Sequence, residues 1–244
     1  MSERSQGTER LRYVYSYDHL DRRPMESCSA GVAIQESLSA TSAAGTAAAI
    51  FGKRAQVAVT HQEPGSGTKL QSLPYEQFYF VLQGQLTADI DGQIAPVPKH
   101  QVLHVPADIP FSLVVSGQAK ASFVAVRQGC DENSVVCDVR QLFPGFSAEL
   151  GVPSKPASAN VTGNTICYVY PIAELDAVPE CECSAAVTPR NFVSKKSSSF
   201  GAAIHGKSLQ VGLIHKGRGS GSKLHTHPNE QFNLVVEGKL VGEI

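Results

Sequence analysis

Apolar and polar residues alternate with period two along much of the chain, as in Gln56-Val-Ala-Val-Thr60, Phe78-Tyr-Phe-Val-Leu82 and Leu86-Thr-Ala-Asp-Ile90. That spacing sends successive side chains to opposite faces of a β-strand. The segments are short and broken by glycine and proline, which predicts antiparallel strands joined by tight turns. Asp91-Gly92 is a hairpin signal, and the clusters Gly65-Ser66-Gly67 and Gly219-Ser220-Gly221 read as turns leading into strands. Helical material is minor. Ser37 to Ala49, rich in alanine and serine, reads as a loop or a short helix. The predicted class is all-β, with strands spaced as in a sandwich or barrel.

The pattern also repeats. Residues 50–90 align with residues 204–244 at a constant offset of 154, with 19 of 41 positions identical. Upstream, Tyr13-Val14-Tyr15 and Leu20-Asp21 align with Tyr168-Val169-Tyr170 and Leu175-Asp176 at an offset of 155. The chain therefore holds two copies of one unit. Residues 1–127 are expected to form the first, 128–165 a linker rich in proline, glycine and serine, with local structure near Val139 to Phe143, and 166–244 the second. Position 244 corresponds to position 90, whereas the first copy continues through strand-like sequence to about Arg127. The second unit thus reads as an incomplete barrel, truncated in the first reading or completed by another chain in the second, whose open edge favours aggregation or pairing.

Composition narrows the functional classes. The 244 residues are 42% apolar and 18% charged, with a formal net charge of −1. No broad positive field is available for nucleic acid or anionic lipid. The sequence lacks a run of the roughly 18 apolar residues that a membrane span needs, and its first residues are polar where a secretory signal is apolar. A soluble, cytoplasmic protein without a nucleic-acid or membrane partner is expected. Six cysteines (Cys28, Cys130, Cys137, Cys167, Cys181 and Cys183) are too sparse for a disulfide framework. Cys181-Glu182-Cys183 is not a CxxC pair and has no second pair nearby, so these residues read as reduced structural thiols rather than a soft-metal site.

Candidate chemistry lies in the second copy, in Gly219-x5-His225-Thr-His227-Pro-Asn-Glu-Gln231-x6-Gly238. Histidines two apart on a strand would point to one face, and Gln231, just past the turn at Pro228-Asn229, would add a neutral amide oxygen. This run resembles the first signature of the cupin superfamily, G-x5-H-x-H-x3-[E or Q]-x6-G. The first copy keeps the same frame in Gly65-x5-Gln71-Ser-Leu73-Pro-Tyr-Glu-Gln77-x6-Gly84, and Val105-Pro106-Ala-Asp108-Ile-Pro110-Phe111 is similar to the second signature. Two fused copies resemble the bicupins, which implies two tandem jelly-roll barrels. The resemblance implies one divalent transition metal, whether iron, manganese, nickel or zinc, held by His225, His227 and Gln231, with a fourth ligand expected beyond residue 244. In the first copy Gln71, Leu73 and Phe111 replace the histidines and only Gln77 remains, so that barrel is expected to hold no metal.

Other paired residues are read as structural. Glu76 and Glu230 occur in both copies whether or not the ligands do, as do His61 and His215, and Lys53 and Lys207 read as solvated charges. His100 and His104 are expected to be surface or core residues. The expected function is that of a metal-dependent bicupin acting on a small molecule. The resemblance implies isomerase or lyase chemistry on a keto acid or sugar acid first, as in cupins with glutamine at this place, and a neutral glutamine, which leaves more charge on the ion, favours Lewis-acid work. An Fe(II)-using cupin dioxygenase and a non-catalytic binding or storage cupin are the alternatives. No general base is identifiable. The resemblance also implies a homodimer.

Overall fold

The computed structural model describes residues 14, 31–37, 45–129, 146–147, 166–192 and 199–243; for 31–37, 146–147 and 191–192 it describes the backbone. Among them there is no helix, and hence none long and apolar enough to cross a membrane. The first repeat contributes β1 (Gly31–Ser37), β2 (Gly45–Phe51), β3 (Ala55–Gln62), β4 (Gly67–Thr68), β5 (Gln77–Gln83), β6 (Gln85–Ile90), β7 (Gln93–Pro98), β8 (Val102–Val105), β9 (Phe111–Val115) and β10 (Ala121–Gln128). Then follow β11 (Phe146–Ser147), β12 (Ile166–Cys167), β13 (Val169–Tyr170), β14 (Glu182–Cys183), β15 (Ala186–Phe192), β16 (Phe200–His205) and β17 (Gln210–His215).

Two sheets close the first barrel. One runs β1-β2-β3-β10-β5-β8-β13 and the other β11-β4-β9-β6-β7, with antiparallel neighbours throughout. This is the double-sheet jelly roll that the period-two pattern and the repeat frame predict. Its inward residues interlock in one core that includes Tyr79, Val81, Leu86, Ile90, Leu103, Phe111, Leu113 and Phe123. The β6–β7 hairpin turns at Asp91 (φ 51°) and Gly92 (φ 78°), both left-handed, as the Asp-Gly signal requires.

Two strands reach the first barrel from further along the chain. β11 lies within the expected linker and pairs with β4; β13 lies within the expected second unit and pairs with β8, Val169 opposite Leu103. The segment Val139 to Phe143 lies outside the described residues. The expectation of a loop or short helix at 37–49 fails over Gly45 to Ala49, which belongs to β2. Alanine favours helix intrinsically, but here Ala47, Ala48 and Ala49 are buried and pair with Thr60, Val59 and Ala58 of β3. Sheet pairing and burial override the local preference.

The second repeat begins as a copy. β15, β16 and β17 form an antiparallel sheet matching β1, β2 and β3, and each sheet carries a register shift at the same place, between Ala33 and Glu36 and between Thr188 and Asn191. From residue 216 to 243 the copy diverges, because this stretch contains no strand. In the first repeat the matching strands β5 and β6 are held by β8 and β10 and by β7 and β9. Residues 231–243 have no such partners among the described residues, and a lone strand leaves its backbone donors and acceptors to water. Val235 is 47% and Leu240 51% exposed, while their counterparts Val81 and Leu86 are 0% and 1% exposed.

Candidate functional site

His225, His227 and Gln231 are all exposed and sit on irregular backbone, so the expectation that both histidines project from one strand is corrected. The turn through Pro228 and Asn229 nevertheless gathers the three. The imidazole centroids of His225 and His227 are 5.7 Å apart, and His227 Nε2 lies 2.9 Å from Gln231 Oε1. A backbone carbonyl only accepts, so the short contacts of His225 Nδ1 with Lys223 O (2.6 Å) and of His227 Nδ1 with Asn229 O (2.8 Å) place a proton on each Nδ1. In the neutral rings Nε2 is then the lone-pair atom, the tautomer of a metal-ligating histidine whose other nitrogen is held by a carbonyl.

Gln231 is oriented as well. Its Nε2–H donates to Asn233 Oδ1 at 3.0 Å, which turns Oε1 toward His227. Gln231 Oε1 and His227 Nε2 thus stand within hydrogen-bond reach, at 2.9 Å, a contact that either a ring proton or a cation beside the two atoms satisfies. Ligands bound at ~2.1 Å around one ion stand about 3 Å apart, so the spacing and the donor set fit a divalent metal.

Neighbouring residues anchor this loop to the first barrel. Glu230 reaches across to the β2–β3 turn, where its carboxylate accepts from the backbone N–H of Lys53 (3.0 Å), Arg54 (2.9 Å) and Ala55 (3.1 Å). Phe232 packs against Val57, Val59 and Val124. The same exchange runs in reverse. Glu76 accepts from Lys207 (2.7 Å), Ser208 (3.0 Å) and Leu209 (2.9 Å) at the β16–β17 turn, and Phe78 packs with Ala202, Ile204 and Tyr170. Three consecutive N–H groups make a small anion-binding concavity. Lys53 and Lys207 thus serve through their backbone.

Glu76 is buried and extends the seam further. His104 Nε2–H donates to it at 2.9 Å, His104 stacks on Phe78, and His104 Nδ1 meets Ser184 Oγ at 2.9 Å. Ser184 in turn meets the Tyr170 hydroxyl at 3.0 Å. Burial by itself would raise the Glu76 carboxyl, but the bonds from His104 and from the amides of Ser208, Lys207 and Leu209 outweigh it and bring its pKa down to about 2. His104 is accordingly a core residue, as one of the two readings had it. His61 bonds Ser122 Oγ at 2.8 Å and His215 stacks on Phe200.

In the first barrel the positions of the lost ligands are filled otherwise. Gln71 and Phe111 exchange backbone hydrogen bonds (2.9 and 2.8 Å), Leu73 packs on the core, and Gln77 Oε1 accepts from the Tyr79 hydroxyl at 2.9 Å.

One cluster escaped the sequence reading. Cys167, Cys181 and Cys183 converge, with their sulfurs all within 4.8 Å of one another. The Cys-x-Cys spacing was visible; the third thiol arrives through the parallel pairing of β12 with β14, Cys167 opposite Cys183.

No protein-family model matches the chain, and no curated protein matches it. Solved structures do resemble it in fold. A variant of the oxalate decarboxylase OxdC from Bacillus subtilis aligns with 81% of this chain and 60% of its own, at 11% identity and a TM-score of 0.47. KdgF from a Halomonas species aligns with 41% of this chain and 90% of its own (8% identity, TM-score 0.36). An RmlC-like cupin from Shewanella frigidimarina aligns with 38% and 83% (14% identity, TM-score 0.34). This chain spans about 60% of the length of the oxalate decarboxylase it resembles. At these identities and scores the likeness is one of general architecture and carries nothing about activity.

Proposed function

We propose that the chain is a metal-dependent protein of the bicupin type, acting on a small keto acid or sugar acid by isomerase or lyase chemistry. The observation that carries this reading is the close approach of His227 Nε2 and Gln231 Oε1, 2.9 Å apart, with His225 alongside and both histidines donating from Nδ1 to a backbone carbonyl. A divalent ion bound there would supply Lewis acidity toward a carbonyl or carboxylate oxygen.

The protein's own contribution is positional. The carbonyls of Lys223 and Asn229 fix the ring tautomers, Asn233 aims Gln231, and Glu230 ties the loop to the β2–β3 turn. Because Gln231 is neutral, the donor set does not cancel the charge of the ion, which favours binding of an anionic small molecule. The site is open to solvent, so an acid of modest size has free access.

Manganese(II) is the ion to test, since thiolates compete poorly for it. The untagged chain, loaded with manganese(II) and desalted, should retain about one equivalent by elemental mass spectrometry, and His225→Ala should retain none. The loaded protein is then screened by NMR for turnover of small keto acids and sugar acids. Full metal retention in His225→Ala would overturn the ligand assignment.

A further inference from the structure

The three cysteines lie near the start of the second repeat, more than 40 residues before the His-Gln loop in sequence. β12 and β14 run parallel with Cys167 opposite Cys183, and Cys181 lies two residues before Cys183, in the bend that leads into β14, with the three sulfurs within 4.8 Å of one another. All three are free thiols; Cys167 and Cys183 are half-buried and Cys181 is exposed. Cys167 also lines a cleft of about 430 Å³, together with Glu174, Asp176 and Glu180. Zinc held at Zn–S distances of ~2.3 Å in tetrahedral geometry needs sulfurs ~3.8 Å apart, which small side-chain rotations reach from the observed spacing.

We propose that Cys167, Cys181 and Cys183 form a three-thiolate site for a soft d10 cation, with zinc(II) as the test ion and a fourth position open to the cleft. Three sulfurs and no nitrogen select a thiophilic ion over the harder metals that suit the His-Gln loop. The surroundings disfavour a nucleophilic or redox-sensing cysteine. Cys167 Sγ–H donates to Val169 O (3.2 Å) and Cys183 Sγ–H to Cys181 O (3.4 Å). Burial first, then the neighbouring sulfurs, push the Cys167 thiol up to about 12 and raise that of Cys183. Thiols held protonated are poor nucleophiles, whereas an ion that compensates three negative sulfurs at once displaces their protons.

The experiment uses the full chain carrying His225→Ala and His227→Ala, so that its result is independent of the function proposed above. Reduced protein should take up one equivalent of zinc(II), with three fewer thiols reacting with a chromogenic thiol reagent. Cobalt(II) in its place should give a thiolate-to-metal charge-transfer band in the near ultraviolet. Adding Cys181→Ser, an exposed position that leaves the strand pairing untouched, should weaken zinc binding at least 100-fold. Unchanged thiol reactivity with zinc, equal zinc affinity with and without Cys181, or a disulfide between two of the three that forms in the presence of zinc would overturn the site.

Discussion

Glu76 and Glu230, 154 positions apart, each cross to the opposite repeat and clamp the same three backbone amides there. The symmetry is chemical, but the surroundings differ, because Glu76 is buried and also bonded by His104 while Glu230 is exposed. Charge-assisted hydrogen bonds count for more where water is excluded. Glu76→Gln should therefore cost ~2–4 kcal/mol, and Glu230→Gln about 1 kcal/mol, in urea unfolding. Equal losses would contradict the burial argument.

The same carboxylate sets an acid limit. Its folded-state pKa of about 2 lies below the ordinary 4.5, so between those values the unfolded chain binds the extra proton and stability falls with pH. The contribution of Glu76 is complete above about pH 4.5 and disappears as pH approaches 2. Melting temperatures of wild type and Glu76→Gln, compared across that window, should converge toward the acid end. A constant gap would show that the carboxylate charge is not what the seam uses.

Close approach of these carboxylates depends on two glycines. A Cβ built on Gly206 would collide with the Glu76 carboxylate, and one on Gly52 with that of Glu230. Gly206→Ala should destabilise by ~1–3 kcal/mol, more than Gly52→Ala does. The loss should be much smaller in a Glu76→Gln background, since the two changes remove one interaction. A double-mutant cycle by chemical denaturation checks this.

Glu230 precedes Gln231 directly, so its clamp also holds the candidate metal loop. Glu230→Gln should weaken manganese(II) binding severalfold without removing a ligand, whereas Glu76→Gln should leave the affinity nearly unchanged at a temperature where both variants are folded. Calorimetric titration distinguishes the two.

Residues 234–241 bear exposed Leu234, Val235, Val236, Leu240 and Val241. Exposed apolar surface of this kind is a liability for association. Replacing Leu240 and Val241 by lysine should shift the sedimentation profile toward monomer while changing unfolding of the first barrel by less than ~0.5 kcal/mol.

Much of the architecture was legible along the chain. Period-two segments such as Phe78 to Leu82 located strands, because alternation reports a sheet with one buried face. The constant offset exposed the repeat, and the survival of Glu76 and Glu230 in both copies marked them as structural. Three features were not legible. β2 was missed because its alanines are chosen for fit against β3. The convergence of Cys167 with Cys181 and Cys183 depends on a parallel pairing that no local spacing encodes. His225 and His227 do not lie on a strand, because strand formation depends on partners supplied from elsewhere, and side-chain pattern alone cannot supply them.

The reciprocal seam has a consequence for assembly. A lone repeat of this kind would offer its β2–β3 turn, its clamp glutamate and its phenylalanine to a twin; in this chain each repeat has already met that twin inside one polypeptide. Cut in two and mixed, the halves should find each other through the same contacts, and any association between whole molecules must use another face.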